Sequence, residues 1–195
     1  FGKAVMGIKN LPVYLSEKNK TSIQERNDAK LLINDGNIKL ISNQCFEPKN
    51  GCGFTLELLP VPHRSELGDT SAIIIRGLRK TLLFMPDHDS WNETLSSFSV
   101  DSIRELFILF EIDIAWIDGT FWNLEELPGR DISEIPHPSI QRSLHLLGMK
   151  KDNDPEISFI HLNHSNPVND YNSSERKLVE SNGWRICERN NTESL

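Results

Sequence analysis

The stretch SAIIIRGLRKTLLFMPDHDSW (residues 71–91) holds two continuous apolar runs joined by a basic turn, and the second run ends on Asp87, His88 and Asp89. SAIIIRG (71–77) and TLLFM (81–85) have the length and β-branched or bulky content of paired, buried strands. A strand is rigid to its last residue, and the loop just beyond is where open α/β folds place functional groups. The same design recurs in ELLPVPHR (57–64), AWIDGTFW (115–122) and SFIHLNHSNP (158–167). Of the six histidines, only His145 lies outside these segments and the loop EIPHPS (134–139). Histidine and carboxylate gathered at strand exits form the ligand set of Zn²⁺, Fe²⁺ or Mn²⁺.

Outward from this stretch, the remaining elements follow from pattern. LPVYL (11–15) reads as a short strand, and Glu17 to Leu32 has helical character that NDG (34–36) stops. NIKLIS (37–42) alternates as a half-buried strand does, and FTLELLPV (54–61) follows a turn at Gly51 and Gly53. SIRELFILF (102–110) fits a helix capped by Ser102, and IDIAWIDG (112–119) a buried strand. SIQRSLHLLG (139–148) is a helix ended by Gly148, EISFIHL (156–162) a strand, SSERKLVESNG (173–183) a capped helix, and WRICE (184–188) a last strand. The first half is strand-rich and the second alternates strand and helix. That predicts an α/β, αββα-type layering in a single domain over 1–195.

Bulk composition narrows the function. At 195 residues, 37% hydrophobic and 25% charged, the chain has the balance of a soluble globular protein with a real core. A formal charge of -7 and pI near 5.4 argue against a broad phosphate-binding face, leaving only a local basic patch. No run approaches the roughly 20 apolar residues of a membrane span. Cys45, Cys52 and Cys187 are too few and scattered for a disulfide framework or a zinc knuckle, and read as free thiols of a reducing cytoplasm. The opening FGKAVMG is helix-like and uncapped, as at a cut end.

PVPHR, FMPDHD, DGTFW, IPHPS and IHLNHSNP, in that order, resemble the metallo-β-lactamase superfamily. The similarity is nearest to the branch containing the pyrroloquinoline quinone biosynthesis protein B. It is looser to the tRNA 3′-processing and phosphonate-pathway phosphodiesterases. The resemblance covers nearly the whole chain and implies His63 as a ligand, Asp87 as a carboxylate bridging two metals, and His161 as the last ligand. Asp89 is the alternative to Asp87, and His164 the alternative or companion to His161. His88 between the two aspartates reads as facing solvent or substrate. His137 falls where the tRNA-processing enzymes keep a histidine that assists the leaving group, and Asp118 in DGTF resembles the acidic residue of a similar motif in those enzymes, the alternative being an aspartate that only bonds backbone around the GTF turn. Trp91, Trp116, Phe121 and Trp122 read as core, with Trp91 or Trp122 available to wall a pocket, and His145 as structural or exposed.

The superfamily's main ligand motif, HxHxDH, should precede a helix such as FGKAVMG and is absent here. The chain therefore reads as the C-terminal portion of such a domain. The implied activity is hydrolysis of a phosphodiester or ester by metal-activated water, with one or two zinc ions, or manganese or iron. The alternatives are an iron-dependent oxidative enzyme of the quinone-biosynthesis type and a non-catalytic binding protein of the same fold. The expected partner is a small-molecule substrate rather than a membrane or nucleic acid, with a homodimer compatible.

Overall fold

Strand direction organises the molecule, because it decides which strand ends share an edge. The computed structural model describes residues 7–64, 68–126 and 135–195; the opening run over 1–6 lies outside the described residues. β1 (Leu11–Leu15) and β2 (Ile38–Ser42) pair in parallel, joined by α1 (Glu17–Glu25) and α2 (Asn27–Asn34). The single helix expected over this region is two. Arg26 is extended (φ -78, ψ 130), closing α1 through its N–H to Ile23 and leading into α2, while its guanidinium pairs with Asp28.

The main sheet has seven strands in the order β3 (Cys45–Phe46), β4 (Thr55–Val61), β5 (Thr70–Arg76), β6 (Thr81–Met85), β7 (Ile114–Asp118), β8 (Glu156–Ile160) and β9 (Arg185–Ile186). Neighbours from β3 to β6 are antiparallel and those from β6 to β9 parallel. Two reversals give β4 the direction of β6, so β4, β6, β7 and β8 all end on one edge. This mixed α/β architecture is the one the sequence pattern predicts.

Burial follows the pairing. β5 buries Ala72 and Ile74 in alternation, as a half-covered antiparallel strand does. β7, parallel on both sides, buries Ile114, Ala115, Ile117 and Asp118. Helices α3 (Trp91–Ser97), α4 (Ile103–Leu109) and α5 (Ile140–Leu147) contribute Trp91, Leu95, Leu106, Phe107, Ile140 and Leu144 to the same core as Leu83, Met85, Ile117 and Phe159. α6 (Ser174–Ser181) adds Val179. Helix α3 was not expected from sequence. Its apolar content is low, but Ser90 caps it, accepting from Glu93 N at 3.2 Å while its hydroxyl bonds Glu93 Oε2 at 2.9 Å. All three cysteines are free.

Candidate metal centre

The shared edge of β4, β6, β7 and β8 carries the site. His63 follows β4 by one proline, and Asp87 follows β6 by one proline. Asp118 is the last residue of β7, and His161 the first beyond β8. Asp89 N donates to Pro62 O at 2.8 Å, which locks the β4 and β6 exits together. Gly119 N donates to Ile160 O at 2.9 Å, and Asn163 N to Thr120 O at 3.0 Å, which lock the β7 and β8 exits. Gly119 is required by space: a Cβ there would lie 2.9 Å from Phe159 Cβ and 3.0 Å from Ile160 O. The buried Asn166 side chain adds bonds to Gly119 O and Thr120 O at 2.8 and 3.3 Å.

His137 comes from the segment leading into α5, whose first N–H groups bind the β7 exit. Ile140 N reaches Phe121 O at 2.8 Å, and Gln141 N reaches Trp122 O at 3.0 Å. Behind this loop Trp91 Nε1 donates to Ser143 Oγ at 2.8 Å, and Ser143 Oγ to Ser139 O at 3.2 Å. The imidazole is thereby delivered to Asp118, with Nδ1 2.6 Å from Oδ2.

Asp118 is fully buried, and both its oxygens are engaged. Oδ1 accepts from Thr120 N at 2.9 Å and Thr120 Oγ1 at 2.7 Å, while Oδ2 accepts from His137. It therefore holds the GTF turn and orients His137 at once. Burial pulls the His137 pKa down, but the hydrogen bond and charge of Asp118, with Asp87 beyond, outweigh it and leave the net value raised. Having given its proton to Asp118, Thr120 Oγ1 is free to accept from His161 Nδ1, 3.0 Å away. That bond would leave Nε2 as the free nitrogen of His161.

Asp87 sits among the histidines. Its Oδ1 is 3.7 Å from His161 Nδ1 and 4.0 Å from His137 Nε2. Donor atoms of His63, Asp87 and His137 lie within 4.8 Å of one another, as do those of Asp118, His137 and His161. The trio His63, Asp87 and His161 does not form such a group by itself among the described residues. Asp89 instead faces His63, its Oδ1 3.1 Å from Nδ1 but off the hydrogen-bonding angle, so both buried atoms are orphaned. His164 belongs to neither group. It is exposed, with Nδ1 3.1 Å from its neighbour's Asn163 Oδ1.

His88 corrects the expectation of a solvent- or substrate-facing ring. It is fully buried, edge-on to Trp91, with Nδ1 2.9 Å from Thr94 Oγ1 and Nε2 without a partner. Burial pushes its pKa down to about 4. Thr120 and Asn166, which organise the loops, were not singled out from sequence, although DGT and HSNP contain them.

No protein-family model and no curated protein sequence matches this chain. Among solved structures, zinc-bound PqqB from Methylobacterium extorquens superposes with a TM-score of 0.68 at 21% identity, over 99% of this chain and 69% of that one. This chain has the metallo-β-lactamase fold. The metallo-β-lactamase fold protein YhfI from Bacillus subtilis gives 0.53 at 17% identity, over 91% of this chain and 61% of that one. Isothiocyanate hydrolase from Delia radicum gut bacteria gives 0.54 at 15% identity, over 93% and 65%. The chain thus spans about two thirds of these metallo-β-lactamase fold proteins. Among the described residues, no helix is long and apolar enough to cross a membrane.

The residues present fit a divalent ion of the zinc type. The donors are imidazole nitrogens and a carboxylate, His63 Nδ1 is buried with no hydrogen-bond partner, and His137 is braced by a carboxylate.

Proposed function

We propose that this chain acts as a metal-dependent hydrolase of esters or phosphodiesters, with His63 and His161 as ligands on either side of Asp87 and His137 as proton donor. The observation that carries this reading is the position of Asp87 Oδ1, within 4 Å of both His137 Nε2 and His161 Nδ1 and grouped with His63. Zinc or a similar divalent ion, when bound, supplies water acidified to about neutral pH as the nucleophile. Asp118 keeps the Nδ1 proton of His137, so the Nε2 proton is the one available to a leaving oxygen. As the bond to that oxygen breaks, the proton passes to it and His137 becomes neutral. The raised pKa, caused by the hydrogen bond and charge of Asp118, favours the charged form of His137 that this step needs. Thr120 holds the ring of His161, and the buried Asp118 accepts three hydrogen bonds, two from Thr120 and one from His137.

A second reading takes His137 as a ligand, because it belongs to both donor groups. It is less favoured because Asp118, the other member needed for the second group, has no oxygen free of hydrogen bonds. Elemental analysis and turnover of bis(4-nitrophenyl) phosphate and 4-nitrophenyl esters separate the two. His63→Ala and Asp87→Ala should lose metal and turnover together. His137→Ala should keep metal and lose turnover, whereas loss of metal would make His137 a ligand. Iron with oxygen uptake would instead support an oxidative enzyme, and no bound metal a binding protein.

A further inference from the structure

A groove of about 280 Å³ opens beside His137, between the start of α3 and the start of α5, walled by Trp91, Leu124, Ile135 and Pro138. Arg142 of α5 lies on its rim, exposed, and its guanidinium makes no hydrogen bond or ion pair among the described residues. By contrast Arg76, Arg104 and Arg176 are each paired with a carboxylate. Among the described residues the one acid lining the groove, Asp89, is turned to His63, and Glu125 belongs to the adjoining cavity that Arg142 also lines. The helix end itself offers nothing to an anion. Ile140 N and Gln141 N are spent on Phe121 O and Trp122 O, and Arg142 N is spent on Ser139 Oγ.

We propose that this groove seats the leaving-group side of an anionic substrate, an apolar body ending in a carboxylate or similar anion, with Arg142 as its anchor. The assignment of the leaving-group side rests on the hydrolase reading, since it follows from His137 forming the groove wall. The groove's preference for an anion rests only on Arg142 and the lining. An apolar wall followed by a lone guanidinium suits a ligand that is greasy near the scissile bond and charged at its far end. It also fits an acidic chain whose described residues place the unpaired Arg142 guanidinium on the rim of this groove.

Binding of 4-hydroxybenzoate and its neutral isostere 4-hydroxybenzamide, followed by NMR, tests this on wild type, Arg142→Ala and Arg142→Lys, each with EDTA and with zinc. With EDTA, wild type should bind the carboxylate about threefold to fivefold more tightly than the amide. Arg142→Ala should erase that preference, and Arg142→Lys should restore part of it. The side chain is exposed, so the variants should fold as wild type does. Equal binding of the two compounds, or a preference that survives Arg142→Ala, overturns the proposal. So does a preference seen only with zinc and indifferent to Arg142, which would place the anion on the metal. Turnover of the matched 4-carboxyphenyl and phenyl esters keeps the two ideas apart. Turnover with no charge preference removes the groove assignment alone. Charge-selective binding without turnover keeps the anion groove and removes the hydrolase.

Discussion

Replacing His88 with leucine should flatten the acid side of the stability curve. The ring is fully buried, and burial holds its pKa at about 4, against an ordinary 6.5. As pH falls below 6.5 the unfolded chain takes up a proton that the folded chain refuses until about pH 4. Stability is therefore unaffected by this group above about pH 7 and is lost as pH falls across that window. At ~1.4 kcal/mol per pKa unit the full loss approaches ~3 kcal/mol, of which ~2 kcal/mol has gone by pH 5. Urea denaturation in EDTA at pH 7.5, 6 and 5 measures it. His88→Leu should be less stable at pH 7.5, because Thr94 Oγ1 loses its partner. It should, however, lose ~2 kcal/mol less than wild type on going to pH 5. His137, whose raised pKa acts in the opposite sense, is common to both proteins and cancels. Parallel stability curves for the two proteins would refute the reasoning.

Asp118→Asn should lower the pKa of His137, read from its ring resonances in metal-free protein. The wild-type pair stabilises the fold fully below His137's ordinary pKa and loses that contribution as pH rises through the raised value, so the variant's deficit should be largest in acid. Ser143→Ala leaves the buried Trp91 indole N–H without its acceptor and should cost about 1–3 kcal/mol, or roughly 2–4 °C in melting temperature for each kcal/mol. His164→Ala should leave zinc content by elemental analysis unchanged while His161→Ala lowers it, since His161 stands 3.7 Å from Asp87 and His164 turns to Asn163. Equal losses would place both on the ion.

What the sequence revealed was the sheet, because β5 to β8 are apolar runs whose length and composition suit little else. The strand exits were visible for the same reason: a run such as TLLFM cannot stop at PDHD without placing its charges at an edge. The helix α3 was hidden because WNETLSS is mostly polar and declares itself only through the serine cap and the glutamate three residues on. The burial of His88 was hidden by its neighbours. Flanked by two aspartates it looks exposed, yet α3 folds back to supply Thr94 and Trp91 around it. The turning of Asp89 towards His63 depends on the Pro62–Asp89 backbone bond, a contact between loops that no local pattern encodes. Thr120 escaped notice because a threonine after glycine is ordinary in any turn. Its role exists only once β7 and β8 lie side by side.

One backbone angle bears on how variation at this site should be interpreted. His161 has φ of +59°, the left-handed region that most side chains avoid and that histidine, asparagine, aspartate and glycine tolerate best. A saturation library at 161, sorted only for folded and abundant protein, should thus be enriched in glycine and asparagine and depleted of valine and isoleucine, whatever the chemistry of the ring. A narrow set of survivors at 161 would report the turn out of β8 before it reported any role in metal binding. His63 is not among the residues with left-handed backbone, so the same library there carries no such bias. Comparing the two positions would separate what the chain demands of its main chain from what the reaction demands of an imidazole.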